Sequence, residues 1–124
     1  MNFNSFEDLE VWKKSRQFRL QISEIAKSFP KEEKFRLGDQ IIRSSRSVAA
    51  NIAEGFGRFH HQENIQFCRI ARGSLYETLE HLICAFDEKY ISKEIFEEIH
   101  QTYNDVIKLL NGYIAYLKKS KSTN

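Results

Sequence analysis

The chain has 124 residues, of which 41% are hydrophobic and 29% are charged, with a formal net charge of +2 at pH 7. These proportions predict a single folded domain with its own core and argue against a disordered or fibrous chain. No run of 18 apolar residues occurs and the first residues lack the apolar centre of a signal peptide. We therefore expect a cytoplasmic protein with no membrane contact.

Two amphipathic helices are predicted in the first half of the chain. Apolar residues at 3–4 spacing place the first helix over about residues 6–28, and Pro30 stops it. The second covers about residues 31 or 32 to 54, and Gly55 follows as a left-handed cap. Its apolar arc of roughly 160° is wider than the ~100° that an isolated bundle needs, which predicts a second buried contact through self-association.

Two further helices are predicted in the second half. The third, over about residues 61–88, carries Cys68 and Cys84 about 24 Å apart, which is too far for a disulfide, so we expect reduced core thiols. The fourth covers about residues 92–119, begins with a serine suited to an N-cap and has its own broad apolar arc. The tail, residues 120–124, is expected to fray.

The connections between these helices are short, which forces neighbouring helices to run antiparallel. The predicted fold is therefore all-α, an up-down-up-down antiparallel four-helix bundle that forms a single domain over residues 1–119.

The most distinctive segment is residues 40–58, with the sequence Gln-Ile-Ile-Arg-Ser-Ser-Arg-Ser-Val-Ala-Ala-Asn-Ile-Ala-Glu-Gly-Phe-Gly-Arg. It resembles the signature of the four-helix-bundle proteins that include the 23S rRNA intervening-sequence proteins. Residues 6–13, 29–37 and 67–77 resemble further segments of that family in the same order and spacing. The resemblance implies a ring-like homopentamer and a link to ribosomal RNA. At the fold level the chain is also similar to the accessory variability protein of diversity-generating retroelements, which binds a reverse transcriptase as well as nucleic acid.

Polar residues on the second helix follow a 4-3-4-3 spacing, which is typical of a seam between two helices. They are Gln40, Ser44, Ser47, Asn51 and Glu54. Small polar side chains permit close approach and hydrogen bonds, so we expect this stripe to pack subunits together, with a ligand-binding groove as the alternative.

Arginine replaces lysine throughout the middle of the chain, and arginine is favoured where a planar group meets a carboxylate or phosphate. We expect Arg72 to pair with Glu54 or Glu77, and Arg43 to be structural as well. Together with the polar stripe and Gly55, these two arginines complete the predicted interface signature. For Arg46 and Arg58, structural and phosphate-binding roles remain equally open.

Three basic surfaces are candidates for nucleic-acid binding. They are the first helix with Lys13, Lys14, Arg16 and Arg19, the loop of residues 56–61 with Arg58, and the chain end with Lys118, Lys119 and Lys121. Arg46 is a further candidate outside these three surfaces. Residues 56–61 mix aromatic and cationic groups as RNA-stacking surfaces do, although their phenylalanines could equally anchor the loop in the core. Acids dominate residues 77–105, so basic and acidic surfaces are expected to lie apart.

No group of residues predicts an enzyme, a cofactor or a metal site. The serines at 44–47 lack a nucleophile elbow, and His60, His61 and Glu63 lack further ligands. Gly55 and Gly57 lack the lysine and the preceding strand of a phosphate loop.

We therefore expect a non-enzymatic, oligomeric accessory protein that binds RNA or a ribonucleoprotein and takes no small-molecule substrate. The alternative is a protein–protein scaffold or reverse-transcriptase-accessory protein whose arginines form ion pairs between subunits. The acidic region favours this alternative because it would repel phosphate.

Overall fold

A computed structural model describes residues 3–121, with side chains described through residue 120. The four α-helices are α1 (Glu10–Ala26), α2 (Leu37–Phe56), α3 (His61–Asp87) and α4 (Lys93–Lys121), and two 3-10 turns cover Phe6–Asp8 and Lys31–Glu33. No strand occurs among residues 3–121, so the predicted all-α class is confirmed. No helix in this part of the chain is long and apolar enough to cross a bilayer.

The helices close around one hydrophobic core. α1 packs against α2 and α4, and α3 packs against the same two helices. The largest fully buried apolar side chains are Phe18, Ile22, Ile41, Ile52, Leu75, Leu82 and Leu110. Each contributes about 1.5–3 kcal/mol by leaving water, and every helix supplies at least one of them. The 3.6-residue periodicity therefore identified the core-facing sides correctly.

The first helix begins later than predicted. Ser5 accepts a hydrogen bond from the Glu7 N–H at 3.1 Å, and the Asp8 carboxylate accepts one from the Ser5 N–H at 3.2 Å. This capping box closes a separate 3-10 turn, and Leu9 then adopts an extended conformation before α1 starts. A continuous helix from Phe6 is therefore wrong, because the extended backbone of Leu9 separates the capped 3-10 turn from α1.

The second helix also begins later, at Leu37 instead of residue 31 or 32. Lys31–Glu33 forms its own 3-10 turn, which a tertiary contact holds in place, since the Tyr90 hydroxyl donates to the Glu33 carboxylate at 2.8 Å. This contact joins residues 57 positions apart, so a periodicity pattern could not indicate it.

The expected cap at Gly55 is a second correction. α2 continues to Phe56, and Gly57 caps it with a φ of −75°. No glycine among the described residues has a positive φ. Instead, a Cβ on Gly55 would lie 2.6 Å from Asn64 Oδ1 and 2.8 Å from Phe67 Cβ. Glycine is required here because α3 begins directly against the last turn of α2.

Small polar residues join α2 to α3 over about one turn of each helix. Thr78 Oγ1 donates to Ser44 Oγ at 2.8 Å, and the hydroxyls of Ser47 and Ser74 lie 2.8 Å apart. Asn51 Nδ2 donates to the Ser47 carbonyl at 2.8 Å within α2 itself. Numbers rise along α2 as they fall along α3, which is the register of an antiparallel pair. Two residues of the stripe expected to pack subunits, Ser44 and Ser47, therefore pack two helices of one chain, and Ser44 is buried there.

α3 ends in a left-handed residue that is not glycine. Lys89 has a φ of 64°. Its N–H donates to the Phe86 carbonyl and the Tyr90 N–H donates to the Ala85 carbonyl, both at 2.9 Å. These are the two hydrogen bonds of a Schellman motif, which satisfies carbonyls at the helix end.

The start of α4 agrees with the prediction. Ser92 Oγ accepts a hydrogen bond from the Ile95 N–H at 3.2 Å, so its N-cap role is confirmed. The helix extends to Lys121, two residues past the predicted boundary. The rest of the predicted tail, residues 122–124, lies outside the described residues.

Candidate nucleic-acid interface

The close contact at Gly55 shapes one end of the protein, where α2 ends, α3 begins and the C-terminal part of α4 lies alongside. We call this the basic end and define it by Arg58, Arg69, Lys118 and Lys119. A groove of about 540 Å³ opens there. Its lining residues are Phe3, Asn4, Phe56, Arg58, Phe59, His61, Asn64, Tyr113, Tyr116 and Leu117. We call it the aromatic groove.

Arg58 lies in the turn between α2 and α3 and is exposed. Its guanidinium carbon lies 4.8 Å from the centroid of the Phe67 ring, so a cation–π contact supports it. It forms no ion pair with any residue that the structure describes. The N–H groups of a supported guanidinium without a carboxylate partner are suited to bidentate contact with a phosphate.

Two aromatic rings that line the groove, Phe59 and Tyr116, are exposed to solvent. Phe59 is 91% exposed and meets the His60 ring edge-on, at 4.9 Å between ring centroids. Tyr116 is 38% exposed and stacks on Tyr113 at 6.3 Å with an interplanar angle of 14°. Of the two phenylalanines that could have anchored the loop, Phe56 packs against the core and Phe59 does not.

The floor of the groove is polar and uncharged. Asn64 is buried and its Nδ2 donates to the Tyr113 hydroxyl at 3.1 Å, while Cys68 Sγ lies 3.6 Å from Asn64 Oδ1. Burial raises the pKa of the Tyr113 hydroxyl and raises the pKa of Cys68 to about 12, although the Arg72 charge lowers the latter in part. Cys68 therefore stays a protonated thiol near neutral pH and is not a nucleophile. His61 Nδ1 is buried without a hydrogen-bond partner in the described structure.

A second, smaller groove of about 280 Å³ adjoins this end and is lined by Gln62, Ile65, Gln66, Arg69 and Lys118. Arg69 and Lys118 are both exposed, and neither forms an ion pair within residues 3–121. Sequence reasoning did not select Arg69. The spacing 62-65-66-69 places it on one face of α3 with two glutamines, and the antiparallel register of α4 could have placed that face beside Lys118.

The acids lie towards the other end of the molecule. Residues 77–105 contain eight Asp and Glu residues against Lys89 and Lys93. This segment includes the C-terminal half of α3, the turn and the N-terminal half of α4, all remote along α3 from His61. The acid-rich part of α3 and α4 therefore lies away from the basic end, while Glu54 and Glu63 are exposed near that end and Lys31 and Lys34 lie at the other.

The remaining nucleic-acid candidates lie on other surfaces. Lys13 pairs with Glu10 at 3.4 Å, and Lys14 lies 3.7 Å from Asp105. Arg16 is exposed on the same helix. The structure thus brings Arg58, Lys118 and Lys119 to one end but leaves the α1 cations as a separate patch, partly neutralised by neighbouring acids.

Arg46 and Arg43 project from α2. Arg46 is exposed and has no polar partner in the described part of the chain. Arg43 lies 3.5 Å from Asp39 one turn earlier, an exposed pair of the kind worth about 0.3–0.5 kcal/mol. Gln40 and Glu54, at the two ends of the predicted polar stripe, are exposed as well.

The ion pair expected for Arg72 is wrong. Its Nη1 donates to Asn111 Oδ1 at 2.8 Å, so the guanidinium reaches towards α4. Glu77 instead lies 3.2 Å from His81 Nε2 on its own helix. Arg72 is only half-buried, so it does not need the carboxylate partner that a buried cation would require.

The described residues form neither a metal site nor a disulfide. Within residues 3–121, no group of three or more His, Cys, Asp or Glu residues could hold a metal ion. Cys68 and Cys84 are both free, and Cys68 is a core thiol as expected, whereas Cys84 is only partly buried and lies outside the core.

The geometry defines an all-α protein of four packed helices with a basic, aromatic-rich end. The sequence identifies the family within this class, because the family model of the 23S rRNA-intervening sequence protein matches residues 7–112. The chain belongs to that family.

One solved relative is a protein of unknown function from the S23 ribosomal protein family of Bacteroides thetaiotaomicron. It is 31% identical, with a TM-score of 0.78 over 85% of this chain and 95% of its own. The search of curated proteins found no match.

Proposed function

We propose that this protein is a non-enzymatic accessory protein of the cytoplasm that binds RNA through its basic end. The observation that carries the proposal is the placement of Arg58 beside exposed aromatic rings in one groove and of Arg69 and Lys118 in the smaller groove at the same end, with no carboxylate partner for any of the three within residues 3–121. Cations that serve folding usually have acidic neighbours, whereas unpaired arginines beside aromatic rings are typical of RNA-binding surfaces. Membership of a family linked to ribosomal RNA supports the same class of ligand.

We infer that the helices complete an up-down-up-down bundle and that copies of it assemble into a ring-like homo-oligomer, a pentamer by family resemblance. Large apolar side chains remain exposed on three helices: Leu20, Ile70, Tyr76 and Ile95. None of the four lies on α2, because α1 and α3 cover the wide apolar arc that the sequence placed there. A ring would present several basic ends to one RNA, and linked contacts raise affinity without any new interaction.

The test is RNA binding by fluorescence anisotropy at about 50 and about 300 mM salt, together with mass by light scattering. Arg58→Ala/Lys118→Ala is compared with Lys31→Ala/Lys34→Ala, which removes the same charge just before α2, at the opposite end of that helix. We expect binding that weakens with salt, and a salt slope that falls by about 0.7 per lost phosphate contact only in the first variant. Binding that neither variant changes would place the RNA elsewhere, and Lys13, Arg16 and Arg46 would be next.

The second candidate function is a protein–protein scaffold, including a reverse-transcriptase-accessory role, and the acidic region at residues 77–105 favours it. Such a protein would show no RNA retention at low salt. Arg43 or Arg72 variants would then alter the assembly mass, since the alternative assigns these arginines to contacts between subunits. Retained RNA binding with unchanged mass in those variants would exclude this second function.

A further inference from the structure

Phosphate binding by the basic end leaves the aromatic rings of the groove without a role. Phe59 is 91% exposed, which is the most exposed large apolar side chain in the described part of the chain. A phenylalanine that only supported the turn would bury its ring, as Phe56 does. An open aromatic face beside a cation is instead the arrangement that stacks nucleobases.

We propose that the aromatic groove binds an unpaired nucleobase, stacked on Phe59 and Tyr116, with Arg58 contacting the adjoining phosphate. This inference rests on the proposed RNA-binding function and specifies its substrate as single-stranded RNA. The groove volume of about 540 Å³ lies within the range of sites for small organic groups.

The lining of the groove distinguishes a base from a purely apolar ligand. Asn4, Asn64 and the Tyr113 hydroxyl place amide and hydroxyl groups beside the rings. His61 also lines the groove, and its buried Nδ1 has no hydrogen-bond partner among the described residues. A base offers both a flat apolar face and hydrogen-bonding edges, so it matches stacking walls with a polar floor. A lipid chain or an aliphatic side chain would cover the Asn4 amide without offering it a hydrogen bond, whereas Asn64 and Tyr113 already bond to each other.

The same geometry selects against duplex RNA. In an A-form helix the bases are stacked on each other and only phosphates and 2′-hydroxyls face a protein across the shallow groove. Phe59 and Tyr116 can therefore stack only on a base that has left the helix, in a loop, a bulge or a single strand. Duplex RNA would contact the cations alone.

The experiment compares a single-stranded RNA with a duplex of the same sequence, using wild type, Phe59→Ala and Phe35→Ala. Phe35 is the matched control, because it is also highly exposed, at 84%, but lies before α2 at the other end of that helix. We expect Phe59→Ala to weaken single-strand binding by about 5- to 100-fold and to leave duplex binding unchanged. Phe35→Ala should change neither. Phe59→Trp should retain single-strand binding, and its indole fluorescence should be quenched by the base.

The outcomes separate this inference from the function on which it rests. If no RNA binds at low salt, the proposed function fails and this inference fails with it. RNA could instead bind while Phe59→Ala weakens the binding of single strand and duplex equally, or changes the binding of neither. Either result would show that the groove holds no base, and the basic end would remain an RNA site. A further measurement uses adenosine monophosphate in place of RNA, to test whether the groove binds a free nucleotide instead of a base within a strand. Saturable binding of the mononucleotide without any strand binding would overturn the single-stranded RNA assignment.

Discussion

Replacing Gly55 with alanine gives a direct test of how α2 and α3 meet. In the interior of an exposed helix this substitution adds about 1 kcal/mol of stability, because alanine is the better helix former. Gly55 lies inside α2 but is buried, and the added Cβ would come within 2.6 Å of Asn64 Oδ1 and 2.8 Å of Phe67 Cβ. Ordinary van der Waals contact begins only at 3.4 Å, so atoms of α3 must move.

Neither neighbour can move cheaply. The Cβ of Phe67 is attached to the backbone of α3, so its displacement shifts the helix, and overpacking of this kind costs about 1–3 kcal/mol. Displacing the Asn64 amide strains its hydrogen bond to Tyr113, which is worth about 1 kcal/mol. After the gain in helix propensity, we expect Gly55→Ala to destabilise the protein by about 2 kcal/mol. The unfolding entropy of a 124-residue chain converts this to a fall in Tm of about 8 °C.

The assay is thermal and urea unfolding followed by circular dichroism, at one fixed protein concentration because assembly would shift Tm. Gly73→Ala and Gly112→Ala are matched controls, since an added Cβ at either helical position meets nothing within 4 Å. Each control should gain about 0.5–1 kcal/mol. A further variant, Gly55→Asn, tests the alternative that Gly55 is a left-handed cap. Such a cap would tolerate asparagine, whereas the close contact with α3 predicts that this variant is destabilised. A Gly55→Ala protein as stable as the two controls would refute the close-contact argument.

Three further predictions follow from single contacts. Lys89→Gly should raise the free energy of unfolding by up to about 1 kcal/mol, because a left-handed φ of 64° strains any residue with a Cβ. Iodoacetamide at about pH 8 should label Cys84 but not the buried Cys68 in mass spectra, because burial raises the Cys68 pKa to about 12. The hydrogen bond to Glu33 raises the Tyr90 pKa from 10.0 to about 12, so the stability difference between wild type and Tyr90→Phe should be full below about pH 10 and lost as pH rises through 12.

Each of these predictions has an internal control. Lys93→Gly, within the first turn of α4, should destabilise instead, and a gain at both lysines would show that left-handed strain is not the cause. Labelling of both cysteines at equal rates in the folded protein would contradict the burial of Cys68. A Tyr90→Phe difference that persists unchanged at high pH would show that the phenol proton does not hold the contact with Glu33.

The candidate interface was predicted only in part. Arg58 and the lysines near the chain end could be selected because cations and aromatic residues cluster locally in the sequence. Whether Lys118 lies close to Arg69 depends on how α4 packs against α3. Likewise the seam from Ser44 to Thr78 could be recognised as a helix–helix seam, but its partner could not be identified. Residues 34 positions apart meet there, and one sequence contains no signal for that pairing.

The number of helices, their order and their core-facing sides were determined by the sequence itself, because periodic burial is a property of each segment alone, whereas the starts of α1 and α2 were not. Gly55 shows what the tertiary structure decided. A glycine near a helix end is compatible with a left-handed cap or a close contact, and only the position of α3 separates the two. Arg72 is a second example. Its charge predicted a carboxylate as its partner, but the packing of α3 against α4 brought the Asn111 side chain within hydrogen-bonding distance instead. Local periodicity depends on neighbours in the chain, whereas partners across helices depend on how the faces meet in space.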